Sequence, residues 1–303
     1  MALPNLILAG FPKCGTTSVA ETLVRHPDVC GSFPHLRTRY FTPLLYDPAA
    51  VLPPAADYAA YYSRCAGEKI RLDDTPVWAY GGARIAGAVR SVLGAPKVLI
   101  MLREPAARTA SYLIWKKRHG ELDQSLSLRA YVDECRRHGP RAVDTLELNP
   151  WSGLPGSDYG RYLPPWIAEF GADLRIGFLD DLAADPLDFY RALAGWLGIA
   201  ADGFSAETTQ VANTAQSARS PRAERMIRRV GRRVQPLARH TPGVYRALRE
   251  SARRANMTAV APPTADDTAA RAELAEFFAP GRAGLLEIVR GHELVRLPGW
   301  LAE

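Results

Sequence analysis

A short apolar run, Leu6-Ile-Leu-Ala9, ends in a loop framed by two glycines, Gly10-Phe11-Pro12-Lys13-Cys14-Gly15. The chain then continues through Thr16-Thr17-Ser18 with helical spacing to Arg25, before His26-Pro27 stops the helix. No other stretch constrains the fold as much. Glycines at both ends permit the tight path that carries a strand into a helix. The helix N-terminus then offers N–H groups and the positive end of its dipole to an anion. The spacing is that of the phosphate loop GxxxxGK(S/T), with one change: Thr16 stands where the lysine should follow the second glycine, and Lys13 lies inside the loop instead. Such a loop can cradle phosphate, but it lacks the lysine that reaches the β- and γ-phosphates of a nucleoside triphosphate. Standing alone, it would also suit a plain strand–helix turn.

It does not stand alone. Lys97-Val-Leu-Ile-Met-Leu102 is a continuous apolar run of the kind that forms a central parallel strand. Arg103 follows it, and a helix opens at Glu104-Pro105 and runs to about His119, carrying Arg108, Ser111, Tyr112 and Trp115 on one face. Ligands of parallel α/β sheets bind at the carboxyl ends of strands, so Arg103 and Ser111 are candidates for a second phosphate. Leu174–Leu179 reads as another strand. Asp185-Pro186 opens a helix through Leu197 that Gly198 closes, and a last helical pair covers about 268–278 and 282–290. Alternating strands and helices predict an α/β fold, a three-layer arrangement with a central parallel sheet flanked by helices.

At 303 residues, with no low-complexity linker, the chain reads as one domain over residues 1–303. Residues 200–265 are rich in Ala, Thr, Pro and Arg with a weak core pattern, and are the expected mobile or acceptor-specific part. Net charge is +6, and the excess is local: Arg219–Arg254 holds twelve arginines against Glu224 and Glu250. Only Tyr245 interrupts that run with an aromatic ring, so nucleic acid is not the expected partner. A solvated helix face is the plainer meaning of the run.

No stretch reaches eighteen apolar residues, so no transmembrane helix is expected. The N-terminus has no basic n-region, which predicts no secretory signal and a cytoplasmic location. Cys14, Cys30, Cys65 and Cys135 show neither CxxC nor metal-ligand spacing and are expected as reduced thiols.

Together, in this order and separation, the two anion motifs resemble the sulfotransferases that use 3'-phosphoadenosine-5'-phosphosulfate, and within them bacterial relatives of the heparan sulfate sulfotransferase domain. Further similar segments are Asp73-Asp74-Thr75-Pro76, Tyr159-Gly-Arg-Tyr162, Phe178-Leu-Asp-Asp-Leu182, Asn213–Arg222 and Leu297-Pro-Gly-Trp300. The resemblance implies a P-loop-like domain that moves a sulfuryl group to a hydroxyl or amine of a small-molecule or glycan acceptor, with no metal. Lys13, Gly15, Thr16, Thr17 and Ser18 would hold the 5'-phosphosulfate, and Arg103, Ser111 and Arg222 the 3'-phosphate. Lys13 would also meet charge developing on the leaving oxygen.

The family's catalytic glutamate falls on Phe33, and the lysine of its Thr-Pro motif is replaced by Asp74. His35 is the first candidate for the base, since an imidazole titrates near neutrality, and Asp74 on the opposite wall is the second. A small-molecule kinase would need the missing loop lysine and a magnesium-binding acid, for which Asp180 and Asp181 are the weak candidates. A non-catalytic anion-binding protein would not explain two phosphate motifs.

Overall fold

A computed structural model of the chain describes residues 2–33, 37–146, 149–209, 216–218, 226, 251, 257–259 and 264–302. Five strands form one sheet: β1 (Leu6–Gly10), β2 (Val29–Gly31), β3 (Ile70–Asp74), β4 (Lys97–Leu102) and β5 (Leu174–Phe178). Their order is β2-β3-β1-β4-β5, and every neighbouring pair is parallel. The helices between them are α1 (Thr16–Leu23), α2 (Pro43–Tyr46), α3 (Ala55–Ala60), α4 (Gly82–Leu93), α5 (Pro105–Arg118), α6 (Leu128–His138), α7 (Tyr159–Phe170), α8 (Leu179–Ala184) and α9 (Pro186–Leu197). Beyond them come α10 (Ala265–Phe278), α11 (Arg282–Val289) and α12 (Gly299–Ala302). This is the expected parallel sheet flanked by helices.

The chain divides into two compact units. One comprises Met1–Pro105, Asp158–Ala212 and Glu276–Glu303, and the other Ala106–Ser157 and Asn213–Ala275. The sheet lies in the first. All five residues of β1 are buried, as they must be in the central strand of a sheet covered on both faces. Phe11 packs its ring against Tyr159 and Tyr80, with centroids 5.0 and 5.2 Å away. Trp166 is fully buried and donates its indole N–H to the Ala79 carbonyl at 3.2 Å, which satisfies its one polar atom. At α9 the side chain of Asp185 caps the Asp188 amide, Pro186 takes the first turn, and Gly198 ends the helix in the left-handed region at φ 73°.

In the second unit, Ser127 caps α6 and Leu128, Tyr131, Val132 and Cys135 form its buried stripe. Arg108 is wholly buried there. It donates to the Gly153 carbonyl at 3.0 Å and to Ser157 Oγ at 2.7 Å, so this arginine serves the packing of its own unit. A short antiparallel pair, β6 (Gln216–Ala218) and β7 (Met257–Ala259), completes it.

The thiol expectation is corrected at two positions. Cys30, on β2, and Cys65 form a disulfide, while Cys14 and Cys135 are buried and take no part in one. The two half-cystines are 35 residues apart, a separation with no local signature in sequence.

Candidate active site

The phosphate loop follows the central strand. Its glycines are required by space as well as by backbone conformation. A Cβ on Gly10 would lie 2.4 Å from Ala79 Cβ. Gly15 has φ 88° and caps α1 in the left-handed region, and a Cβ there would meet Leu179 Cδ1 at 2.9 Å. Gly15, at the N-cap, has no side chain with which to cap α1. The amides of a first helical turn are those that the helix itself cannot pair, so they are suited to an anion. Within the loop, Lys13 takes φ 75°, the Phe11 amide is held by the Met101 carbonyl at 3.0 Å, and the Cys14 amide by the Phe11 carbonyl at 3.2 Å. Thr16 and Ser18 are buried, whereas Thr17 is exposed at the loop's end.

On one side of β1 stands β4, and Arg103 leaves its carboxyl end half-buried. Tyr159 connects the two. Its hydroxyl donates to the Arg103 carbonyl at 2.8 Å and lies 3.5 Å from Cys14 Sγ in the phosphate loop. Arg103 Nη1 reaches toward the Lys13 carbonyl at 3.5 Å. The first unit therefore brings Arg103 beside the Lys13 carbonyl. Ser111, half-buried on α5, belongs to the second unit. His35 and Arg222 lie outside the described residues.

On the other side of β1 stands β3, whose Asp74 is the register partner of Leu8. Asp73 and Asp74 are both buried, and their surroundings differ. Asp73 accepts three hydroxyls: Thr38 at 2.5 Å and Tyr58 at 2.9 Å on Oδ2, and Thr75 at 2.7 Å on Oδ1. Burial pushes its carboxyl up to about 6 against those three donors. Among the described residues Asp74 has one partner, Arg37, whose Nε and Nη2 lie 3.1 and 3.0 Å from Oδ2. Its Oδ1 is buried with no hydrogen-bond donor among the described residues. Burial outweighs the Arg37 charge and pushes Asp74 up to about 7, with Asp73 and Glu21 adding to the rise.

Arg37 is the residue that the sequence reading passed over. Its Nη2 also donates to Thr17 Oγ1 at 2.9 Å, so one guanidinium joins the phosphate loop to Asp74. The signal was present: an acid where the family keeps a lysine calls for a cation facing it. Phe33 gives no substitute carboxylate, and its half-buried ring lies beneath the Arg64 guanidinium, 3.3 Å from its centre. Trp78 and Tyr80 are buried in the core. Asp180 accepts from the Trp300 indole at 3.2 Å, and Asp181 pairs with Arg296 at 3.0 Å.

No protein-family model matches the chain. Two curated mouse proteins, heparan sulfate glucosamine 3-O-sulfotransferases 3B1 and 3A1, are each 26% identical to it over 203 residues. That match covers 65% of this chain and 46% of theirs, so the chain spans about half the length of the curated relatives it matches. A crystal structure of a sulfotransferase from Alicyclobacillus acidocaldarius superposes with a TM-score of 0.67 at 18% identity, covering 99% of both chains. Among the described residues, no helix is long and apolar enough to cross a membrane. Similarity in sequence to the mouse enzymes and the shared fold together support membership of a sulfotransferase family.

Proposed function

We propose that this chain is a sulfotransferase that moves a sulfuryl group from 3'-phosphoadenosine-5'-phosphosulfate to a hydroxyl of a glycan or small-molecule acceptor by in-line displacement. One observation carries the reading: a phosphate loop whose glycines answer a steric demand, with threonine at the nucleoside-triphosphate lysine position, opens beside a buried carboxylate paired with a half-exposed guanidinium. A sulfuryl group carries less negative charge than a terminal phosphoryl group, so it needs neither that lysine nor a metal ion.

The first-turn amides of α1 and the Thr17 hydroxyl suit the 5'-phosphate. Lys13 is the cation for the leaving oxygen, and Arg103, Ser111 and Arg222 are assigned to the 3'-phosphate. For the base, Asp74 has the better physical support of the two candidates. Its carboxyl titrates near neutrality, and Oδ1 is a buried acceptor lacking a donor, which costs about 1–3 kcal/mol that an acceptor hydroxyl would recover. That oxygen is closed to solvent, so the acceptor has to displace what covers it. His35 keeps its place as the alternative. Disulfides persist in oxidising compartments, so Cys30–Cys65 argues for such a compartment over the cytoplasm.

Thermal stabilisation by 3',5'-bisphosphoadenosine, compared with ATP plus magnesium, tests the donor half. A shift with ATP and none with the bisphosphate refutes the proposal. Release of the bisphosphate across a panel of hydroxyl acceptors, heparan sulfate among them, tests the acceptor half.

A further inference from the structure

The Arg37 guanidinium occupies a position that loop chemistry alone does not require. It holds Asp74 Oδ2 through Nε and Nη2 and, through the same Nη2, the hydroxyl of Thr17. Its side chain is 42% exposed, whereas that of Asp74 is 2% exposed, so the pair has a dry end at the carboxylate and a wet end at the phosphate loop. A guanidinium carries five N–H donors in one plane and can serve a carboxylate, a hydroxyl and an oxyanion together. The chain segment bearing it is fixed twice, by Arg37 on Asp74 and by Thr38 on Asp73, and Cys30–Cys65 closes the loop that contains both.

We propose that Arg37 is a positioning residue coupling the donor loop to Asp74: an anion at Thr17 draws on the same guanidinium and leaves Asp74 the stronger proton acceptor. The proposal rests on the sulfuryl-transfer reading above and deepens it. Charge on the donor would thereby raise the basicity of Asp74 only when the donor is bound. Among the described residues the charged groups bearing on Asp74 are Arg37 from the loop after β2, Asp73 from its own strand and Glu21 from α1. From β1 its register neighbour is the apolar Leu8. Among the described residues Arg37 is the cation in this set, so the coupling is argued through it.

The test is a carboxyl carbon-13 titration of Asp74 with and without 3',5'-bisphosphoadenosine, in the unaltered chain and in Arg37→Gln and Arg37→Lys. The bisphosphate should raise the Asp74 midpoint in the unaltered chain. Arg37→Gln should raise the ligand-free midpoint by about 1–3 units and remove most of the ligand effect. Arg37→Lys, a point charge that cannot bridge both oxygens, should show an intermediate effect, and it serves alone if Arg37→Gln does not fold. A ligand effect as large in either variant as in the unaltered chain overturns the proposal, as does bisphosphate binding without any midpoint change. Failure of the unaltered chain to bind the bisphosphate instead overturns the sulfuryl-transfer reading on which the proposal rests.

Discussion

Asp74 accepts the Arg37 guanidinium on Oδ2 at 3.0–3.1 Å while its Oδ1 is buried without a donor. A carboxylate in that state is costly for folding and useful for proton transfer. Replacing it by asparagine keeps the shape and removes the basicity. Asp74→Asn should lower turnover about 10²–10⁴-fold and leave stabilisation by 3',5'-bisphosphoadenosine in place. Full activity in Asp74→Asn would transfer the role to His35.

The same burial has a consequence for stability. Asp73 and Asp74 titrate at about 6 and about 7 in the folded chain, above the ordinary aspartate value of 3.8. Between about pH 4 and 7 the folded state therefore binds more protons than the unfolded state, and stability falls as pH rises through that window. Thermal midpoints should decline from about pH 4 to pH 7, and Asp74→Asn should flatten the decline. A midpoint that rises over this range in the unaltered chain would contradict the burial argument.

Much of this architecture is legible in the sequence, and the exceptions share one cause. Strand β4 and helix α9 announce themselves locally, by a continuous apolar run and by Asp185-Pro186 with Gly198. The phosphate loop is legible because glycine at 10 and 15 answers a steric demand of its own backbone. Strand β3 is hidden because it ends in two acids, which look like loop residues until Thr38, Tyr58, Thr75 and Arg37 arrive to satisfy them. Three of those partners lie outside the strand's own stretch of chain, and so does the sulfur that pairs with Cys30. Local pattern reports local energetics; what is paid at a distance shows only as an oddity, such as Asp74 in place of lysine.

The loop glycines give a prediction separable from catalysis. Gly15→Ala forces a side chain into the left-handed region, at about 1–2 kcal/mol, and against Leu179. Gly10→Ala crowds Ala79 and should cost about 1–3 kcal/mol by overpacking. Both should also weaken the bisphosphate by more than Asp74→Asn does, since they move the anion cradle itself. Denaturant unfolding and ligand titration of the three variants, run side by side, check the ranking.

The disulfide makes the last prediction, since it links stability to the site. Cys30 and Cys65 enclose Phe33, Arg37 and Thr38 in a loop of 35 residues, for which chain entropy gives about 4 kcal/mol of stabilisation. Thiol titration of the denatured, unreduced chain should count two thiols, Cys14 and Cys135, and four after reduction. The double variant Cys30→Ser, Cys65→Ser should unfold at lower denaturant. Near the transition it should lose turnover before it loses bisphosphate binding, because the loop it frees carries Arg37 to Asp74 whereas β1 and α1 hold the donor cradle. Equal loss of both at every denaturant concentration would show that the loop and the cradle unfold as one unit.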